Sequence, residues 1–215
     1  MPRAGLSREA VTALAVEIVD SAPDGWHDLT LAAVVARAGV AVPSLYKHVA
    51  SLAELRRSVI LVAVNELGRR SVAATVGRSG PDALRGLAHA IRSFAQERPG
   101  LYAASQAAVP THLDDALSTE LDQATGDVVG FAMAVLHGFS IPDDRIVDAT
   151  RALRSSIHGF VALEVGGGFG MPDDVDRSFD ALIDVLIAGL GALSESVANP
   201  SDGRTVKGAP EGARR

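Results

Sequence analysis

Tyr46, Lys47 and His48 stand in succession between Leu45 and Val49. Their phenol, ammonium and imidazole groups are all hydrogen-bond donors suited to an anionic oxygen. On a helix from Val42 to Val49, Leu45 and Val49 lie four apart and face inward, leaving Pro43, Ser44, Tyr46, Lys47 and His48 turned outward. A solvated helix face is ordinarily built from Glu, Lys and Gln, so an outward Tyr beside Lys and His calls for a use. Phosphate oxygens are a natural target for three such donors, and Thr30, ahead of the preceding helix, adds a hydroxyl and free helical N–H groups. A loosely basic surface helix is the plain alternative.

Such side chains need a scaffold, and residues 29–55 provide one. Thr30 can cap a helix that turns Leu31, Val34 and Val35 inward and ends at Gly39, where a left-handed residue costs little. The next helix starts near Val42 with Pro43 in its first turn, where the missing N–H does no harm. Ser51 followed by Glu54 is a capping box that opens a fourth helix. Ahead of these, Ser7 caps a helix running to about Ser21, with Val11, Leu14, Ala15, Ile18 and Val19 on one face, and Pro23-Asp24-Gly25 closes it. Trp26 fits as a plug between the first two helices better than as a stacking platform. A helix, a glycine turn and a second short helix with donors facing out is the layout of a DNA-reading helix-turn-helix.

Charge distribution refines this reading. The 215-residue chain carries a formal net charge of −6, which at first sight opposes a nucleic-acid partner. Six of the 20 basic and six of the 26 acidic side chains precede residue 61, so the whole negative excess lies beyond it. The head is neutral and the body acidic, which confines DNA contact to the head. A neutral head also suits a plain interaction module.

Hydrophobic residues make up 47% and aromatics 4%, so Ala, Val, Leu and Ile fill the core, a composition suited to closely packed helices. There is no cysteine, which excludes disulfides and thiolate chemistry. Neither a signal-peptide pattern nor an apolar run long enough for a membrane span occurs, so a cytoplasmic protein without membrane contact is expected. Beyond the head, periodicity predicts helices from Ser51 to about Val76, from Gly80-Pro81 to before Pro99, from Pro99 to Ala108 and from about Thr111 to His137. Another opens at Pro142 and closes at the glycines 166–170, and a last one runs from about Asp173 to Val197. The expected protein is all-α: a helix-turn-helix head over residues 1–50, a helical binding body over 51–197, and a disordered tail over 198–215. Tyr102, Gln106, His112, Phe131, His137, His158 and Glu164 are polar or aromatic groups on otherwise apolar body helices, and they are the candidates for lining a pocket for a small, largely apolar effector.

At Thr30, Ala36-Arg37-Ala38-Gly39-Val40, Leu45-Tyr46-Lys47-His48-Val49 and Leu52-Ala53-Glu54-Leu55 the chain resembles the tetracycline-repressor-like (TetR) family of transcriptional regulators. Ala41 stands where that family usually has a capping Ser, and Pro43 where a small or polar residue is common. Ser156-Ile157-His158-Gly159-Phe160 through Glu164 resembles the Trp-His-Gly (WHG) type of C-terminal domain, with Ile157 in place of Trp. The resemblance implies a repressor that binds a near-palindromic double-stranded DNA operator as a homodimer and is released by a small-molecule effector. Thr30, Tyr46, Lys47 and His48 would anchor phosphates; Ser44 would read a base, with Val42 and Pro43 against thymine methyls. It also implies that the last two helices pair with those of a second subunit through Leu153, Ile157, Phe160, Phe179, Ile183, Leu186, Ile187 and Leu190, with Ser156, Gly159, Gly189 and Ala192 permitting close approach.

Other chemistries find little support. Ser44-x-x-Lys47 matches the nucleophile motif of penicillin-recognising enzymes, but no Ser-Asp-Asn or Lys-Thr-Gly follows. The glycines at 166–170 lack the Gly-Lys-Ser of a phosphate loop. The six histidines lack metal-ligand spacing, so no metal, cofactor or catalytic role is expected. The runner-up reading is a helical ligand- or partner-binding protein without DNA contact.

Overall fold

A computed structural model describes residues 6–21, 24–108 and 115–198. Ten helices are found among them: α1 (Arg8–Asp20), α2 (Gly25–Asp28), α3 (Leu31–Ala38), α4 (Val42–Leu45), α5 (Leu52–Thr75), α6 (Gly80–Glu97), α7 (Pro99–Gln106), α8 (Ala116–His137), α9 (Ile146–Val165) and α10 (Val175–Ala198). The described residues contain no strand, in line with the all-α expectation.

Local chemistry fixes most helix starts. Ser7 accepts a hydrogen bond from the Ala10 N–H at 3.2 Å, Thr30 from Ala33 at 3.1 Å, Ser51 from Glu54 at 3.1 Å and Asp115 from Ser118 at 2.8 Å. Each such cap contributes about 1 kcal/mol. Glu54 reaches back to the N–H of Ala50 at 2.6 Å, one residue ahead of the cap. Gly39 ends α3 with φ of 64°, a conformation that favours glycine. The turn expected at residues 23–25 is partly the short α2. Pro142 opens a turn closed by the Arg145 N–H, so α9 begins only at Ile146. The expected tail from residue 198 meets the end of α10 at Ala198, and residues 199–215 lie outside the described residues.

One apolar core runs from Val11, Ala15, Val34 and Leu45 in the head to Phe94, Leu136 and Phe179 in the body. α5 joins the two, packing against α1, α6, α7 and α8 and burying Leu55, Val59, Ile60, Ala63, Val64 and Leu67. The head meets the body a second time at the end of α1. Gly25 of α2 and Gly100 of α7 both abut the Val19 carbonyl, where a methyl group on either would fall far inside van der Waals contact with backbone. Arg98, just ahead of α7, pairs with Asp20 at the end of α1.

Antiparallel α6 and α10 are joined by a row of polar contacts: the ion pairs of Arg85 with Asp184 and of Arg92 with Asp176 at 2.6 Å, and between them His89 Nε2 3.0 Å from Asp180. Arg92 also holds Glu164 of α9 through two hydrogen bonds, at 2.8 and 2.5 Å, and its guanidinium lies 4.8 Å from the Phe179 ring centre. With Arg92 7% and Glu164 16% exposed, this is the charge pair least open to solvent screening.

Most residues expected to pair two subunits are instead core residues of the single chain. Leu153, Ile157, Phe179, Ile183 and Leu190 are at most 4% exposed, covered by their own chain. Phe160, Leu186 and Ile187 are half-buried against the same core. The residues that do stand outward on these helices include a run of small ones: Ala152, Ser155, Gly159 and Ala162 on α9, and Ala181, Ala188, Gly189 and Ala192 on α10.

Gly100→Ala must push backbone against backbone and should destabilise the fold by about 3 kcal/mol, lowering Tm by roughly 6–12 °C in thermal melts followed by circular dichroism. Hydrogen bonds from Arg92 hold the Glu164 carboxyl below its ordinary value of 4.5. The stabilisation is therefore complete above that pH and is lost as pH falls through the lower folded-state value. Glu164→Gln should flatten the acid side of the stability curve; urea melts from about pH 6 to about pH 3 that show equal slopes for both proteins would contradict this.

Candidate functional site

The outward face of the head is built on α4, which is shorter than the sequence suggested. Ala41 offers no side chain to cap it, so the regular helix is a single turn. The chain continues through turn bonds, the N–H groups of His48 and Val49 donating to the Leu45 carbonyl at 2.9 and 3.1 Å. Facing is nonetheless as expected. Leu45 and Val49 are buried, Tyr46 is 53% exposed, Val42, Pro43, Lys47 and Thr30 are exposed, and Ser44 and His48 are half-buried. Thr30 uses its oxygen to cap α3 and keeps its hydroxyl hydrogen to donate.

Electrostatics single out one cation on this face. Arg8 pairs with Glu54, Arg37 with Glu17 at 3.0 Å and Arg57 with Asp115 at 2.8 Å, while the Arg56 guanidinium stands 5.6 Å from the Trp26 ring centre. Lys47 is in no ion pair among the described residues. The half-buried Trp26 packs against core residues, which bears out its reading as a plug.

A second candidate site lies in the body. Helices α5 to α9 enclose a cavity of about 280 Å³. Its walls are apolar over Ile60, Val64, Leu67, Leu87, Ile91, Val128, Leu153 and Ile157. Tyr102, Gln106, Phe131 and His158, four of the seven residues expected to line a pocket, meet here, joined by Ser105, Thr125, Thr150 and Arg154. The Tyr102 hydroxyl lies 3.0 Å from His158 Nδ1, and Arg154 donates to Gln106 Oε1 at 3.1 Å. Burial pushes the Tyr102 phenol up to about 12. Burial, followed by the nearby Arg154, lowers the His158 imidazole, so both groups are neutral near pH 7.

Of the other three candidates, two stand away from it. His137 is exposed at the end of α8, 3.5 Å from Asp143; Glu164 is held by Arg92; His112 lies outside the described residues. Arg154, Ser105 and Thr150 were missed. The available signal was spacing, since Thr150, Arg154 and His158 repeat every four residues on α9, as do Tyr102 and Gln106 on α7.

Residues 84–186 match the family described as "Tetracyclin repressor-like, C-terminal domain". The chain is 33% identical over 192 residues to an uncharacterised HTH-type transcriptional regulator of Mycobacterium tuberculosis, covering 89% of this chain and 83% of the relative. It is 30% identical over 189 residues to another, YobS of Bacillus subtilis, covering 88% of this chain and 95% of the relative. Among solved structures it is similar to the Streptomyces coelicolor TetR family protein ActR in complex with (S)-DNPA, with a TM-score of 0.62, 16% identity and coverage of 88% and 98% of the two chains. With an exposed helix-turn-helix face as part of an all-helical fold and relatives of this identity over nearly its whole length, the chain belongs to the tetracycline-repressor-like family of helix-turn-helix transcriptional regulators.

Proposed function

We propose that the protein is a DNA-binding transcriptional repressor that works as a homodimer and is released from its operator by a small, largely apolar effector held in the cavity of the body. The observation that carries this reading is the face of α4, where Leu45 and Val49 are anchored in the core while Tyr46 and the unpaired Lys47 stand out from it. Thr30, Tyr46, Lys47 and His48 take phosphate oxygens, Ser44 reads a base edge, and Val42 and Pro43 supply apolar contacts to thymine methyls. Two copies related by a two-fold axis require half-sites about 34 to 36 Å apart, or a multiple of that, on a near-palindromic operator.

The subunit contact in this proposal is the outward stripe of small residues on α9 and α10, together with Val185, which is 68% exposed. It replaces the inward residues expected from the sequence. Residues 1–50 act as the DNA-binding unit and 51–197 as the effector and dimer unit. In support of a body cavity as effector site, the similarly folded ActR is known bound to a small molecule. Effector and operator oppose each other reciprocally, because each favours a different setting of α5 and α7 against the head.

The balanced charge of residues 1–60 favours a second reading, a helical partner-binding protein with no DNA contact. Selection from a random duplex pool decides between them: recovery of a near-palindromic sequence supports the first, and recovery of none the second. On the selected duplex Lys47→Ala should weaken binding to every sequence and reduce the slope of log K against log salt by about 1. A gel-shift series at several salt concentrations that shows an unaltered slope would remove Lys47 from phosphate contact.

A further inference from the structure

The lining of the body cavity is strongly asymmetric in charge. Among the described residues it includes one guanidinium, that of Arg154, and no carboxylate. Among the described residues Arg154, which is exposed at the rim of the cavity, has as partner only the neutral amide oxygen of Gln106, so no carboxylate neutralises its charge there. Beside it, Tyr102 and His158 share one hydrogen bond between two neutral groups. That pair holds two polar hydrogens and uses one, whichever tautomer is present. Either the phenol donates to Nδ1 and the ring keeps an Nε2–H, or Nδ1–H donates to the phenol and the O–H stays available. The polar end of the cavity therefore offers a cation and a spare donor, both complementary to an anionic acceptor.

At the other end Ile60, Val64, Leu87 and Val128 present only apolar surface. The 280 Å³ of space equals that of about nine waters at about 30 Å³ each, which limits an occupant to about ten non-hydrogen atoms. A cation would meet Arg154 with no carboxylate to offset it, and a neutral hydrocarbon would leave Arg154, Tyr102 and His158 without a new partner. Charge-assisted hydrogen bonds to a carboxylate are the strong ones.

We infer that the effector is an amphipathic monoanion, a small aliphatic or aromatic carboxylate whose head is held by Arg154 together with the Tyr102–His158 pair and whose body fills the apolar end. This inference rests on the proposed reading of the cavity as the effector site.

The test is calorimetric titration of the full-length protein near neutral pH with four probes that fit the space, octanoate against 1-octanol and phenylacetate against 2-phenylethanol. Each acid should bind about tenfold or more tightly than its alcohol, the better pair telling an aliphatic body from an aromatic one. Arg154→Gln should bring that ratio near unity, whereas Arg151→Gln, at an equally exposed position on α9 but outside the lining, should leave it as in the wild type. Circular dichroism melts check that Arg154→Gln is folded, and Arg154→Lys, which keeps the charge, should restore part of the ratio. Alcohols binding as tightly as the acids, or a ratio untouched by Arg154→Gln, would overturn the inference while leaving the cavity as an effector site. Binding of none of the four would overturn both, and operator selection still decides the DNA-binding reading on its own.

Discussion

The carbonyl end of α1 is the constraint on which the rest of the molecule turns. Val19 is closed in from one side by Gly25 of the head and from the other by Gly100 of the body, with no room for a side chain at either. Helix and backbone touch directly there, so the seat of the head on the body has little freedom to vary continuously. α7 begins at that contact and ends at the cavity, since Arg98 and Gly100 hold α1 while Tyr102 and Gln106 line the pocket a turn or two later. α5 does the same over a longer span, from Leu55 in the core it shares with the head to Ile60, Val64, Leu67 and Ser71 on the cavity wall. The two helices that carry the head are also two of the walls of the pocket.

Electrostatic detail explains how a head of zero net charge can serve a phosphate partner. Three of its arginines are engaged by carboxylates of their own fold, and Arg56 lies over Trp26. These charges orient helices and are poorly available to a polyanion. On the proposed reading, what a duplex meets is the residue left unpaired among the described ones, and on the α4 face that is Lys47, beside Tyr46 and His48. Net charge counts every ion equally, whereas a surface is felt through the ions that have no internal partner.

Much of this was legible in the sequence, because the rules that apply at helix ends are local. Ser7, Thr30 and Ser51 cap within three residues, and Gly39 takes the left-handed turn where the hydrophobic period stops. The facing of Leu45 and Val49 followed from their spacing even though the missing cap at Ala41 shortened α4 to one turn. What the sequence could not convey depends on distant partners. A carboxylate on an apolar helix reads equally as a ligand residue or as half of an ion pair, and Glu164 is the second because Arg92, 72 residues earlier, faces it. The apolar stripes of α9 and α10 told where the helices run and left open what covers them. A stripe says that a face is buried without saying by what, and in Leu153, Ile157, Phe179, Ile183 and Leu190 the covering atoms come from the same chain. Tyr102 and His158 were picked separately; their meeting at 3.0 Å belongs to the fold.

The small size of the cavity bears on how an effector could act at all. Turning a population from almost wholly one state to almost wholly the other requires about 5.5 kcal/mol of difference in ligand affinity between them. A ligand of about ten non-hydrogen atoms supplies from about 3 kcal/mol at ordinary efficiency to about 15 kcal/mol at the ceiling. On the proposed reading, then, a large share of the binding energy must be absent in the DNA-holding state. Modest weakening of a few contacts is not enough; the cavity has to be largely closed there. Closure has a natural route. Apolar walls such as Ile60, Val64 and Val128 gain from meeting one another when nothing lies between them, and α5 and α7 are the walls tied to the head. On the proposed reading, moving them together to fill the 280 Å³ would shift Val19 and the head beyond it, and a ligand that keeps them apart would hold the head in its other position.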